Sequence, residues 1–144
     1  MSLLDRVLGR RDRARERDLQ RAAAAVDREL AANLELATMF DQTHQAVVFE
    51  NGEFARYRAV LEVEVPDALV ELADVYARIP TTEDAMERRG PAASVRPEDR
   101  ALIESWEGDA RAAQRTLRAA VAAKPPSLLA ALVARLRGGR RTRR

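Results

Sequence analysis

Few residues in this sequence could make or break bonds. His44 is the only histidine, and Asp41 stands three residues before it. On a helix that spacing puts an imidazole and a carboxylate on one face, as two ligands of one metal. A carboxylate-bridged two-metal site in a helical bundle needs a second acidic-x-x-His pair and further glutamates. No second histidine exists, so His44 reads as a satisfied or interfacial side chain. There is no cysteine. That excludes disulfides, thiolate metal sites and thiol chemistry, and fits a reducing compartment. Ser2, Ser94, Ser105 and Ser127 have no histidine near them in sequence. Glycine-rich phosphate loops, nucleophile elbows, zinc spacings and calcium loops are all missing. The expectation is a non-enzyme with no cofactor, no metal and no small-molecule substrate.

The chemistry that remains is charge and apolar surface at the two ends. Leu3, Leu4, Val7 and Leu8 share one helical face behind a possible N-cap at Ser2, and Gly9, Arg10 and Arg11 follow. Leu128, Leu129, Leu132, Val133 and Leu136 repeat the arrangement near the C-terminus. Arg135, Arg137, Gly138 and Gly139 follow, then Arg140, Arg141, Arg143 and Arg144. Residues 124–144 hold seven basic and no acidic groups, whereas residues 31–80 hold three basic and nine acidic. An acidic body with a basic tail is hidden by the overall charge of +2. All basic residues except Lys124 are arginine. That fits a GC-rich genome as readily as selection for bidentate anion contacts.

Two targets fit such ends. One is an anionic membrane surface, reached by amphipathic helices with basic flanks. The other is the ribosome or a nucleic acid, bound by the Arg-Gly-Gly-Arg-Arg stretch. The acidic body opposes broad contact with phosphate chains, which makes nucleic acid the second choice. For the first eleven residues, folding back onto the core competes with the membrane foot. No segment reaches the roughly 20 apolar residues a spanning helix needs. The expected location is the cytoplasm, at the inner face of the membrane if the foot reading holds.

One long element must position these ends. Leu19, Ala23, Val26, Leu30, Asn33, Ala37, Phe40, His44 and Val47 follow at steps of four and three, which predicts a helical spine over residues 19–48. Residues 10–21 alternate in charge and read as a solvated lead-in supported by pairs three apart. Asn33 on the apolar stripe either fixes the register of a self-associated dimer or bonds a neighbouring backbone group. The expected dimer seam is Leu30, Asn33, Ala37 and Phe40, with another helical protein as the alternative partner.

After the spine, Asn51-Gly52 is either a helix cap or a hairpin turn. A helix over 53–62 is preferred, because Phe54, Tyr57 and Leu61 share a face. Pro66 starts the next helix and Pro80 is expected to stop it. A short helix runs through Met86, and Glu87-Arg88-Arg89-Gly90-Pro91 reads as a solvated helix end with contact potential. Pro97-Glu98-Asp99 opens a helix to about Ala123, and Pro125-Pro126 precedes the short basic C-terminal one. The fold class is therefore all-α, a small helical bundle on one long N-terminal helix. Its parts are an amphipathic, charged lead-in (1–18), a helical domain (19–123) and an amphipathic basic tail (124–144).

Glu29-Leu30-Ala31-Ala32-Asn33-Leu34, followed by Pro66, Leu69, Leu72 and Tyr76, resembles a pattern in uncharacterised small helical proteins of bacteria and archaea. In those a Glu-Leu-x-x-Asn-Leu helix precedes a Pro-x-x-Leu-x-x-Leu-x-x-x-Tyr helix. The resemblance spans about residues 28–79 and implies no activity. Many of those proteins carry a membrane span just before the first helix. Residues 1–27 here cannot span, so the resemblance implies that the short apolar foot stands where an anchor would be.

Overall fold

The structure, a computed structural model, describes residues 3–124. Five α-helices and one 3-10 turn follow in order among the described residues: α1 (Leu3–Thr43), α2 (Gly52–Glu64), α3 (Pro66–Ala77), α4 (Ile79–Glu87), the turn (Pro91–Ala93) and α5 (Pro97–Ala123). The all-α expectation holds. No strand occurs among these residues, so Asn51-Gly52 starts a helix and makes no hairpin.

α1 is longer than expected at its start and shorter at its end. Gly9 does not interrupt it, and the lead-in is continuous with the spine. A single glycine in a helix costs only about 1 kcal/mol relative to alanine. At 1.5 Å per residue, 41 residues reach roughly 62 Å, about twice the width of a small domain. The helix stops where His44 turns left-handed (φ 55) and its N–H bonds back to the Phe40 carbonyl at 2.7 Å. His44 is thus an exposed helix terminus and does not continue the apolar stripe.

From Leu19 to Phe40 the stripe is core. Leu19, Ala23, Val26, Leu30, Asn33, Ala37 and Phe40 are all buried. They meet Leu61 of α2, Leu72 and Val75 of α3, Met86 of α4, and Ile103, Trp106 and Leu117 of α5. α2 and α5 lie against α1, while α3 and α4 close on α5. The dimer seam expected at Leu30, Asn33, Ala37 and Phe40 is corrected here. These side chains are almost wholly covered by their own chain and offer no surface to a second copy.

Prolines place the remaining breaks. Pro66 opens α3 one residue after α2 ends. Pro80 sits in the first turn of α4 instead of ending α3, because a missing N–H is harmless there. α5 runs Pro97–Ala123 as expected, with Glu98 and Asp99 in its first turn. Residues 87–91 stay largely exposed, yet both arginines make specific contacts. Arg88 directs Nε and Nη2 to Asp99 Oδ1 at 3.0 and 2.7 Å, holding that buried carboxyl below its usual range. Arg89 donates to the Met86 and His44 carbonyls and lies over the Phe40 ring. A cation thereby meets the negative end of α1.

Candidate functional site

The end of α1 that carries Leu3, Leu4, Val7 and Leu8 extends past the body. Their relative exposures are 80, 73, 41 and 54%. The reading in which this end folds back onto the core is thereby ruled out. Between Leu3 and Asp18 the only buried residue is Gly9, and the buried stripe begins at Leu19. Arg10 and Arg11 are exposed on the same projecting segment. Four exposed apolar side chains on two helical turns are unusual, since a soluble helix normally turns such a stripe inward.

The stripe has a definite direction. Leu4, Leu8, Arg11, Arg15 and Leu19 follow at steps of four and three, so the apolar foot faces the same side of α1 as the core stripe. Arg15 marks where the body ends. Its Nε and Nη2 reach Glu64 Oε1 at 3.0 and 2.9 Å. The other oxygen of Glu64 accepts from Lys124 Nζ at 2.7 Å. Lys124 and then Arg15 hold the Glu64 carboxyl below the usual range despite its partial burial. One carboxylate at the end of α2 thus joins the root of the projecting arm to the last described residue.

The remaining expected contact residues, Leu128, Leu132, Leu136, Arg135, Arg137, Arg140, Arg141, Arg143 and Arg144, lie outside the described residues. So do the short C-terminal helix and all but the first residue of the tail part (124–144).

Midway along the buried stripe of α1 lies a polar cluster. Glu29 is buried, and its carboxylate accepts from the backbone N–H groups of Glu53 at 2.7 Å and Phe54 at 3.0 Å, and from the Tyr76 hydroxyl at 2.9 Å. Asn51 contributes no side-chain cap to α2. Glu29 supplies it from another helix, where the positive helix end favours a carboxylate. Burial and the Glu29 charge push the Tyr76 hydroxyl well above its ordinary value. One turn on, Asn33 clamps the backbone of Glu50, Nδ2 to O and Oδ1 from N, both at 2.8 Å. Phe49 stacks on Trp106 at 4.5 Å, and Trp106 Nε1 donates to the Val75 carbonyl at 3.0 Å. Of the two readings of Asn33, the structure realises the local bond. The apolar periodicity does not single out Glu29, whose role here is structural. Its signal was the i, i+4 spacing to Asn33 on a mostly apolar helix, together with Tyr76 in the same loose pattern.

A third polar feature lies between α1 and α5. Glu107 is buried beside the Asp41 carboxyl, and no N–H donor reaches its Oε1. Its Oε2 is 3.6 Å from Arg111 Nη2. Burial first, and then the Asp41 carboxylate, push Glu107 up to about 7. A buried carboxyl beside a second carboxylate favours its own neutral form. Among the described residues, no group of three or more His, Asp or Glu could hold a metal ion.

Two surface grooves complete the survey. One, of about 480 Å³, runs between α1 and α2 and is lined by Arg21, Arg28, Arg56 and Tyr57 together with Glu29, Glu50 and Glu53. The other, of about 360 Å³, is shallow and lies beside Leu34, Met39 and Arg111. The first mixes both charges, and the second is mainly apolar. No helix among the described residues is long and apolar enough to cross a membrane. Compared with family models, curated proteins and solved structures, the chain matches none.

Proposed function

We propose that this chain is a non-enzymatic helical interaction protein that docks on an anionic membrane surface through its two ends. The observation that carries the reading is the projecting arm, with Leu3, Leu4, Val7 and Leu8 exposed and Arg10 and Arg11 beside them. A helix lying in the interface needs this combination of an apolar face and flanking cations. The second support is the shared Glu64 contact of Arg15 and Lys124. It makes the basic tail sequence start at the root of the arm, so that both can meet one surface. Two weak attachments are the usual requirement for stable membrane docking. Each basic residue near such a surface adds about 1 kcal/mol.

Flotation with vesicles containing phosphatidylserine tests it. The full chain should float, and Leu4→Ser with Leu8→Ser should weaken binding at least tenfold, since each buried methylene contributes about 0.8 kcal/mol. Zwitterionic vesicles should leave the protein at the bottom. Retention of full binding by the double variant contradicts the proposal. Duplex DNA binding that is strongly salt-dependent and indifferent to both leucines assigns the ends to nucleic acid instead.

A further inference from the structure

We propose that the projecting arm of one copy docks on the outward face of α3 and the end of α2 in a second copy. The pairing goes beyond the membrane reading and does not rest on it. The same leucines cannot meet a bilayer and a second copy at once, so the dimer is the form expected without lipid.

The receiving face is acidic and apolar. Residues 59–77 hold five acidic residues and no basic one. Val63 and Val70 stand outward there, 69 and 70% exposed. On α3, Asp67, Val70, Glu71 and Asp74 follow at steps of three and four, so they share one face, and all four are exposed. Glu64 is engaged by Arg15 and Lys124, and Asp74 by Arg78. Among the described residues no cation pairs with Glu62, Asp67 or Glu71, and Glu71 accepts only from the Thr116 hydroxyl at 2.9 Å. Two outward valines beside unpaired carboxylates bring the fold little and suit a basic, apolar partner.

The arm is such a partner. Leu4 and Leu8 supply the apolar side chains. Residues 3–13 carry four arginines against two aspartates. Arg6, Arg10 and Arg11 are exposed, and no acid among the described residues holds them. Opposite charges beside two apolar faces orient association and exclude like-charged pairings such as arm on arm.

The arm cannot reach the face on its own chain. α1 is one uninterrupted helix, and Arg15 at Glu64 marks the edge of the body. Leu4 lies eleven residues further out, roughly 16 Å along the helix. A second copy meets no such obstacle. Pro66, which opens α3, is two residues from Glu64 at the arm root. α3 runs antiparallel to α5, with Glu71 at Thr116 and Arg78 at Asp109, so its Pro66 end lies toward Lys124. Each copy therefore carries both surfaces side by side at one end. A two-fold axis beside the arm root lets each arm lie on the other copy's α3, and the pairing closes as a dimer. The lengths agree: residues 3–13 reach roughly 15 Å, and the twelve residues of α3 roughly 18 Å.

Sedimentation equilibrium without lipid, on the full chain, tests it. The parent should be a dimer that loosens as salt is raised. Leu4→Ser with Leu8→Ser, and separately Val63→Ser with Val70→Ser, should each weaken it by at least about tenfold, with helical circular dichroism unchanged because all four side chains are exposed. Mixing the two variants should restore a heterodimer, since one intact arm then meets one intact face. A monomeric parent, a dimer indifferent to the valines, or a mixture that stays monomeric overturns the proposal. The absence of native cysteine allows a second readout. A nitroxide on Asp12→Cys in one copy should broaden the amide signals of residues 66–74 in an isotope-labelled copy mixed with it. Broadening confined to other residues, or none, overturns it as well. Val63→Ser with Val70→Ser leaves the arm itself intact, so its flotation with vesicles is read independently of its dimerisation.

Discussion

Two stretches of α1 reverse the usual rule for what is placed inside. From Glu29 to Asn33 α1 carries polar groups in full burial, and each of those described finds a partner. From Leu3 to Leu8 it carries apolar groups in the open. Buried polar groups are tolerated only when bonded, and they then specify one arrangement strongly. Exposed apolar stripes bring the fold nothing and point to a partner. The first region therefore belongs to architecture, and the second is where the proposed docking would act.

Substitutions can break that division where it is strongest. Glu29→Ala leaves two backbone N–H groups and the Tyr76 hydroxyl without their acceptor. Unfolding in urea should show a loss of at least about 3 kcal/mol, from hydrogen bonds to a charged group worth about 1.5–3 kcal/mol each. Asn33→Ala should cost about 2 kcal/mol by the same measurement, because the Glu50 N–H and carbonyl lose a buried partner. A loss under about 0.5 kcal/mol in either variant, the size of an ordinary surface change, removes the clamp from the account.

The carboxyl pair between α1 and α5 should respond to pH. Glu107 is raised to about 7 from its ordinary 4.5. Between those values the folded chain keeps a proton that the unfolded chain has released. Stability therefore falls as pH rises through that window and levels off above it. Solvent around the exposed Asp41 limits the loss to about 1–2 kcal/mol. Melting at pH 5 and pH 8 should show the difference, and Glu107→Gln should flatten it. A melting temperature that rises from pH 5 to pH 8 and is unchanged by the substitution contradicts this assignment.

The smallest effect on folding sharpens the comparison most. Leu4→Ser with Leu8→Ser should change the stability of the body by no more than about 0.5 kcal/mol. The same variant should lose most of its vesicle binding. A large loss of stability would make the foot part of the core after all.

What the sequence made legible follows from which signals are local. α5 was readable at both ends, because Pro97-Glu98-Asp99 is a local start and Lys124-Pro125 a local stop. The stripe from Leu19 to Phe40 was readable because it keeps one helical period throughout. The left-handed turn at His44 was not, since the end of α1 depends on Arg89 arriving from a distant segment. Pro80 misled for a similar reason. A proline ends one helix or begins another according to where the chain turns, which packing decides. The seam was misassigned because an apolar stripe looks alike whether it meets its own chain or a second copy. The foot residues were found from their spacing, but their projection depends on where the body ends, at Arg15 and Glu64.

The most direct measurement of the division of labour is fluorescence quenching by lipids brominated along their acyl chains. A fluorophore on Leu3→Cys reports the arm. Trp106, the only tryptophan and fully buried, reports the body in the same chain. With anionic vesicles the arm label should be strongly quenched while Trp106 emission stays unchanged. Equal quenching of both, or none at position 3, contradicts an arm that inserts while the body stays clear of the bilayer.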